Sequence, residues 1–346
     1  MTRTVLFHEL GGPDVLRIEE LEVGAPGPGE VRIRVDAVGL NRAEALFRAG
    51  RYIQPVRSFP ARLGNEAAGV VEAVGDGVGG VRVGQLVSTL PAFSQNDYGV
   101  YAERAIVPAA AVVARPEGLD AVRGSAVWMP YLTAYGALVE TARLRPGGTV
   151  LLNAASSSTG LAIIDVANQV GATPIALTRT AAKREFLVKH GAADVVVTDD
   201  ESVSERVLAA TGGRGVEVVM DAVAGPGITD LARLVTPGGT LVVYGGLSGQ
   251  PTPYPGVELG LPALNIRSFT MLEITGEPAR LRRATAFIGA GLRTGAFDPV
   301  VDRVFALDDI VEAHRYLESN AQVGKIVVTT GSATATGGTV TTADAP

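Results

Sequence analysis

The sequence predicts an α/β fold made of a strand-rich part and a doubly wound parallel sheet. Short strand candidates joined by Gly/Pro turns fill residues 1–122, whereas strands alternate with helices from about residue 123 onward. At the centre of the second part, residues 149–184 read as strand, tight turn, helix and strand. This unit places a phosphate at a helix N-terminus.

Composition excludes several classes of function. The net charge is −6 at pH 7, which disfavours nucleic acid and anionic membrane surfaces as partners. The chain has no cysteine, so disulfides, thiolate nucleophiles and zinc sites with sulfur ligands are excluded. Nothing at the N-terminus resembles a signal peptide, and no apolar run approaches the roughly 20 residues of a transmembrane helix. We therefore expect a soluble cytoplasmic protein.

The first part shows strand candidates separated by turn signals. Glycine and proline cluster at 11–13, 24–29 and 75–80, which predicts turns there. Many short strands of this kind indicate a closed or sandwiched β unit, and a short helix is predicted over 41–48. The strand candidates are 4–7, 16–20, 31–38, 67–74, 81–86, 101–107 and 111–115.

The second part alternates strands with crossover helices. Its strands are predicted at 149–152, 173–177, 194–198, 216–222, 239–244 and 268–274. Its helices are predicted at 131–144, 160–170, 202–210, 228–234 and 278–293. Strand 301–306, helix 307–320 and strand 325–329 follow, and we expect them to rejoin the first part.

These patterns divide the chain into three regions. The predicted strand-rich domain covers residues 1–122 and is completed by 300–330, and the predicted doubly wound domain covers 123–299. Residues 331–346 are small and polar, and we expect them to be disordered.

The turn after the first strand of the parallel sheet predicts dinucleotide contacts. Only one glycine of the usual G-x-G-x-x-G fingerprint remains, but small residues still let the backbone approach a pyrophosphate, and serines add hydroxyl donors. The predicted contacts in this turn are Ser156, Ser157, Ser158, Thr159 and Gly160.

The end of the next strand indicates which dinucleotide binds. An NAD site uses a carboxylate there for the ribose 2′-hydroxyl, whereas an NADP site uses positive charge for the 2′-phosphate. Residues 166–184 contain no Asp or Glu, while Arg179 and Lys183 follow Thr178. We therefore predict that these three residues contact NADPH. The alternative is that the two cations are solvated charges at the start of a surface helix.

Six segments follow one another in a characteristic order and spacing along residues 1–330. They are 11–16, 39–44, 64–69, 101–103, 132–135 and 324–327. Together they resemble the zinc-free, quinone-oxidoreductase-like branch of the medium-chain dehydrogenase/reductase superfamily. This resemblance implies a GroES-like β domain plus a Rossmann domain, with the active site in the cleft.

The zinc enzymes of that superfamily carry a Gly-His-Glu motif whose histidine binds the metal. Here Asn65 takes that position, and the stretch 41–44, near which a cysteine ligand falls in those enzymes, contains none. We therefore predict no metal site. Without a Lewis acid, reduction of a simple ketone needs a strong proton donor at the carbonyl, whereas reduction of a conjugated C=C does not. The reason is that hydrogen-bond donors can stabilise a delocalised enolate oxygen.

The resemblance also implies roles for individual residues. It puts Asn41 beside the nicotinamide and Tyr52 in the loop that faces substrate, where a tyrosine acts as donor. Asn41 could instead cap the helix it precedes, and Tyr52 could cover the rim of the domain. Further cofactor contacts are expected at Thr133, Gly245, Gly246, Leu247, Ser248 and Lys325. Lys325 either faces the cofactor or pairs with a nearby carboxylate.

The predicted function is zinc-independent, NADPH-dependent transfer of hydride to a conjugated C=C of an enone, enoyl or quinone substrate, such as an intermediate of secondary metabolism. Two alternatives stay open: a reductive cyclase acting on a polyene natural product, and an NADPH-binding sensor or structural protein with little catalysis. The resemblance further implies a homodimer that pairs the sixth strands, 268–274, across a two-fold axis.

Overall fold

The computed structural model describes residues 1–261 and 263–331. The tail predicted to be disordered lies outside these ranges, apart from Gly331. The strands are β1 Thr2–Phe7, β2 Leu16–Leu21, β3 Glu30–Gly39, β4 Ala61–Arg62, β5 Ala67–Val74, β6 Leu86–Thr89, β7 Arg104–Pro108, β8 Val112–Ala114, β9 Thr149–Leu152, β10 Thr173–Thr178, β11 Asp194–Val197, β12 Val216–Asp221, β13 Val235–Val243, β14 Asn265–Ser268, β15 Val301–Ala306 and β16 Lys325–Thr329.

The α-helices are α1 Arg42–Arg48, α2 Ala121–Gly124, α3 Trp128–Tyr135, α4 Ser158–Val170, α5 Arg184–Lys189, α6 Val203–Ala210, α7 Ile228–Ala232, α8 Leu272–Thr275, α9 Pro278–Thr294 and α10 Ile310–Ser319. Among the described residues, no helix has both the length and the apolar character needed to cross a membrane.

The predicted α/β fold is confirmed. The first sheet has the order β15-β16-β3-β5-β6-β8, and β7 also pairs with β3. A small sheet has the order β2-β1-β4. β16 runs antiparallel to β3 and pairs Val328 with Val38. The strands β15 and β16 therefore lie in the same sheet as β3, β5 and β6 from the N-terminal part.

The remaining sheet, the parallel sheet, has the order β11-β10-β9-β12-β13-β14. In chain order this is 3-2-1-4-5-6, so the connections change direction between β9 and β12. Ligands of such sheets bind outside the carboxyl ends of the strands at this point. The central strand β9 is buried, with Val150, Leu151 and Leu152 each 0 % exposed, as its continuous apolar run predicts.

Helix α4 covers one face of this sheet with apolar side chains that recur three residues apart. Leu161, Ile164 and Ala167 are buried. The helix ends at Gly171, which has φ +86° in the left-handed region that glycine adopts easily. A turn of five residues, 153–157, joins β9 to α4, so the N-terminus of the helix lies at the carboxyl edge of the sheet.

The sixth strand was predicted at the wrong residues. The edge strand is β14, and the chain then turns into the short helix α8. Phe269, Met271 and Ile274 are buried in the core, and a Cβ on Gly136 would lie 2.6 Å from both Phe269 and Ile274. The apolar character of this segment therefore reflects packing against the α3 region, where a π-helix replaces the last turns of the helix predicted at 131–144.

The strand predicted at 81–86 is also displaced, because β6 covers Leu86–Thr89. Gly84 has φ +82°, and the N–H of Gln85 donates to the carbonyl of Arg82 at 3.1 Å. A turn therefore occupies residues that the sequence analysis assigned to a strand.

Candidate active site

The carboxyl ends of β9 and β12 are joined by two polar side chains that the sequence did not single out, the partly buried Asn153 and the buried Asp221. Asn153 donates from Nδ2 to Oδ1 of Asp221 at 2.6 Å, and its own Oδ1 accepts the N–H of Ala222 at 2.8 Å. Asp221 Oδ1 also accepts the N–H groups of Val223 and Ala224. These bonds fix the floor of the crevice at the point where the strand order reverses. The signal in the sequence was a polar residue at the end of each of two apolar strands.

The turn after β9 has the close backbone approach that a dinucleotide site requires. A Cβ on Gly160 would lie 2.4 Å from the carbonyl oxygen of Ala155, so only glycine fits. Ser157 is the N-cap residue of α4, and its Oγ accepts the N–H of Gly160 at 3.0 Å. Ser158 and Thr159 begin the helix, where backbone N–H groups have no partner within the helix and can meet a phosphate.

Ser156 connects this turn to the C-terminal segment of the first sheet. Its carbonyl accepts the N–H of Gly324 at 2.9 Å. Lys183 donates from Nζ to Ser156 Oγ at 3.1 Å and to the carbonyls of Gln322 and Asn320 at 2.8 and 3.3 Å. The amino group of Lys183 therefore donates to acceptors of the protein itself and connects the turn to residues 320–324.

The cation pair predicted to read the 2′-phosphate is divided between two environments. Arg179 is exposed beyond the end of β10, whereas Lys183 is partly buried. Burial and then the charge of Arg179 lower the pKa of Lys183. Thr178 is buried, and its hydroxyl donates to the carbonyl of Thr180 at 3.3 Å. Of these residues, Arg179 offers its charge to solvent at the edge of the crevice.

Asn41 and Lys325 meet in a buried network, 284 residues apart in the sequence. Lys325 donates from Nζ to Asn41 Oδ1 and to Glu66 Oε2, both at 2.6 Å. The N–H of Asn41 donates to Glu44 Oε2 at 2.7 Å, so Asn41 is also the N-cap residue of α1. Burial raises the pKa of Glu44 to about 7, although Lys325 opposes this shift. Of the two interpretations of Lys325, the structure shows the pair with a carboxylate.

Tyr52 lies on the loop after α1 and lines a cleft between the first sheet and the parallel sheet. Its ring packs edge-on against Phe47, with 6.4 Å between ring centroids. Burial, and then the charge of Glu44, raise the pKa of Tyr52 above its ordinary value of 10.0. The hydroxyl therefore keeps its proton at neutral pH and can donate a hydrogen bond. The cleft is lined by Tyr52, Gln54, Asn65, Phe93, Gln95, Met129, Met271 and Leu272.

Asn65 uses its side chain within the protein. Its Nδ2 donates to the carbonyl of Phe93 at 3.2 Å, and the residue is 7 % exposed. Across the described part of the chain, there is no group of three or more His, Cys, Asp or Glu side chains arranged to hold a metal ion.

The remaining predicted cofactor residues lie on two elements. Thr133 is 8 % exposed, and its hydroxyl donates to the carbonyl of Met129 one helical turn earlier at 2.7 Å. Gly245 follows β13 and passes close to the carbonyl of Ala222. Exposed Gly246 and Leu247 and partly buried Ser248 continue this loop; the N–H of Leu247 donates to the Ala222 carbonyl at 3.1 Å and that of Ser248 to the Val223 carbonyl at 2.9 Å. The loop 245–248 is therefore held at the carboxyl edge of the parallel sheet, beside Asp221.

Comparisons with known proteins agree with this architecture. The family described as "Alcohol dehydrogenase GroES-like domain" matches residues 27–117, and "Zinc-binding dehydrogenase" matches residues 190–328. A quinone oxidoreductase of Pseudomonas aeruginosa is 31 % identical over 332 residues, which cover 95 % of this chain and 99 % of that protein. A 2-haloacrylate reductase of a Burkholderia species is 31 % identical over 334 residues, with 95 % and 99 % covered.

A solved structure of a related enzyme has the same fold. The structure of Escherichia coli quinone oxidoreductase complexed with NADPH matches with a TM-score of 0.89 and 27 % sequence identity. The match covers 95 % of this chain and all of that one.

Proposed function

Because the chain belongs to the quinone-oxidoreductase-like branch of the medium-chain dehydrogenase/reductase superfamily, we propose that this nicotinamide-dependent oxidoreductase uses NADPH to reduce a conjugated carbon–carbon double bond. The observation that carries the proposal is the cleft beside Tyr52, whose lining residues are all neutral and include a protonated hydroxyl. An enone, enoyl or quinone substrate presents an apolar body and one carbonyl oxygen to such a wall. The similarity to a 2-haloacrylate reductase supports a conjugated substrate.

The residues of the parallel sheet fit NADPH. The turn 156–160 has the glycine-dependent approach and the helix N-terminus that suit a pyrophosphate. Arg179 is exposed where the ribose 2′-phosphate of NADP is read in this fold, and Lys183 stands beside it. Thr133 and the loop 245–248 would face the nicotinamide half. When bound, NADPH supplies the hydride.

The chain's own residues provide hydrogen bonds and orientation. Tyr52 donates a hydrogen bond to the substrate carbonyl oxygen, which gains negative charge as the double bond is reduced. The proton for the α-carbon then comes from Tyr52 or from water. Asn41, held by Lys325 and Glu44, positions the nicotinamide end of the cleft. Asn65 fixes the wall at the place where related enzymes bind zinc.

A panel of substrates tests this proposal. Loss of NADPH absorbance would be measured with cyclohexenone, a benzoquinone and a 2-haloacrylate, with cyclohexanone as the saturated control. We expect turnover of conjugated substrates and none of cyclohexanone. Equal turnover of cyclohexenone and cyclohexanone would contradict the proposal. Tight NADPH binding without any turnover would favour the sensor alternative, and ring formation from a polyene would favour the cyclase.

We also propose that the chain forms a homodimer through β14. This strand lies at the edge of the parallel sheet, and an uncovered edge invites pairing with another chain. Tyr254 and Val257, in the segment before β14, are 71 % and 73 % exposed, and a second copy would cover them. Val257→Asp should shift the dimer toward monomer in light scattering without loss of helical signal. A monomeric wild type at micromolar concentration would contradict the proposal.

A further inference from the structure

We propose that the side-chain amide of Gln95 donates a second hydrogen bond to the substrate carbonyl oxygen, beside the hydroxyl of Tyr52. This inference rests on the proposed function, because it names a further donor for the same carbonyl. Gln95 lies in the connection between β6 and β7 and is 3 % exposed. It lines the same cleft as Tyr52.

The orientation of the Gln95 amide follows from its one backbone partner. The N–H of Gly64 donates to Gln95 Oε1 at 3.0 Å. A backbone N–H can only donate, so the oxygen of the amide must face Gly64 and the NH₂ group must point the other way. Within the described residues, that Nε2 is buried and has no hydrogen-bond partner.

A buried donor without an acceptor requires an explanation, because native proteins pair the great majority of such groups. Here the donor belongs to a residue of the cleft wall, and no oxygen of the described residues accepts a hydrogen bond from it. An acceptor that enters with the substrate supplies the missing partner. A carbonyl oxygen has two lone pairs and can accept from Tyr52 and Gln95 at once.

The loops that carry the two donors are bonded to each other. Hydrogen bonds join the loop of Gln95 to the loop of Tyr52: Ser94 Oγ to Gln54 Oε1 at 2.8 Å, Asn96 Nδ2 to the Pro55 carbonyl at 2.9 Å, and Arg57 N to Asn96 Oδ1 at 2.9 Å. An ion pair between Arg57 and Asp97 at 2.8 Å adds to them. Donors that are held in place before the reaction need no reorganisation as charge develops on the oxygen, which is the condition for stabilising an enolate.

The roles of the two donors differ in one chemical respect. The amide of Gln95 does not ionise near neutral pH, so it can stabilise the oxygen but cannot deliver a proton. Loss of the Gln95 donor in Gln95→Met, which adds no ionisable group, should therefore lower the rate without changing the shape of its pH profile. Loss of the Tyr52 hydroxyl should change both if that hydroxyl delivers the proton.

Three variants separate this role from a structural one. Gln95→Glu keeps an oxygen for the N–H of Gly64 and removes the NH₂ donor, whereas Gln95→Met removes both. The matched control is Gln85→Met, because Gln85 Oε1 also accepts a backbone N–H, from Arg82 at 3.2 Å, but lies outside the lining of the cleft. With cyclohexenone we expect kcat/KM to fall about ten- to a hundredfold in both Gln95 variants and to stay unchanged in the control. NADPH affinity should stay unchanged in all three.

A spectroscopic reading tests the same bond without turnover. Isotope-edited infrared spectra of labelled cyclohexanone bound to the protein with NADP⁺ report the carbonyl stretch, which hydrogen bonds lower. We expect Gln95→Met and Tyr52→Phe each to lose part of this lowering. An unchanged stretch and an unchanged kcat/KM in the Gln95 variants would overturn the inference. Failure of the wild type to reduce any conjugated substrate would instead overturn the proposed function, and the stretch would still decide the role of Gln95.

Discussion

Replacing Lys325 by methionine should destabilise the protein far more than the loss of a surface ion pair. The side chains of Lys325 and Glu66 are 1 % and 0 % exposed, and their charged atoms lie 2.6 Å apart. Methionine keeps most of the aliphatic volume but leaves the carboxylate of Glu66 buried without its cation. Removing one partner of such a pair costs about 3–5 kcal/mol. An exposed pair contributes about 0–1 kcal/mol.

Urea unfolding at constant pH measures this cost as a change in the free energy of unfolding. The control is Arg233→Met, because Arg233 pairs with Glu258 at 3.1 Å where both side chains are more than half exposed. Adding Glu66→Gln to Lys325→Met removes the stranded charge but keeps an oxygen for the N–H of Met129. The double variant should therefore recover about 1–3 kcal/mol relative to Lys325→Met alone.

Two outcomes would refute this reasoning. One is a loss in Lys325→Met no larger than the loss in Arg233→Met, which would mean that the buried pair contributes as little as a solvated one. The other is strict additivity of Lys325→Met and Glu66→Gln, which would mean that the two charges do not interact. Because Lys325 also holds Oδ1 of Asn41, we expect single-turnover rates to fall in Lys325→Met as well.

Three further predictions concern the cofactor, the donor and pH. Arg179→Glu should weaken NADPH about ten- to a hundredfold and leave NADH nearly unchanged in fluorescence titrations, because it puts a carboxylate against the 2′-phosphate; equal changes would show that Arg179 does not read the phosphate. Tyr52→Phe should lower the single-turnover rate about ten- to a thousandfold without changing NADPH affinity, and a wild-type rate would return Tyr52 to a packing role. Burial raises the pKa of Glu44 from 4.5 to about 7, so the folded protein holds this proton more tightly than the unfolded chain does. Its contribution to stability is full below about pH 4.5 and is lost as the pH rises to 7, by about 3 kcal/mol. Glu44→Gln should flatten this fall in urea unfolding curves, and an equal fall in both proteins would contradict the assignment.

The architecture was predictable because it is written in local periodicity. Continuous apolar runs such as 149–152 indicate strands buried on both faces, and the helix between β9 and β10 has its apolar residues three apart. The edge strand was misplaced because its neighbour carries the stronger apolar signal. Phe269 and Ile274 are apolar since they fill space beside Gly136, a residue more than 130 positions earlier that no local pattern connects to them.

Two of the predicted site residues were chosen on local chemistry, and their roles stay predictions. Only glycine fits at position 160 because the carbonyls of Ala154 and Ala155, within six residues, lie too close for a Cβ. Arg179 follows the strand whose end indicates the cofactor in this fold. Gln95 gave no signal, because its orientation depends on Gly64, 31 residues away. The pairing of Asn41 with Lys325 spans most of the chain, and it exists only once β16 has joined the first sheet.

The segment 64–66 organises the wall of the cleft, although it contains neither histidine nor cysteine. The N–H of Gly64 orients the amide of Gln95. The side-chain amide of Asn65 donates to the carbonyl of Phe93, which lies in the same loop as Gln95. Glu66 is fully buried and uses its two oxygens on β16 and α3. Three consecutive residues therefore connect the donor loop, the closing strand and the helix before the parallel sheet. Each of these bonds is made by a neutral amide, a backbone N–H or a carboxylate paired with the ammonium group of Lys325. In the proposed function, stabilisation of the substrate oxygen is assigned to the hydrogen-bond donors Tyr52 and Gln95.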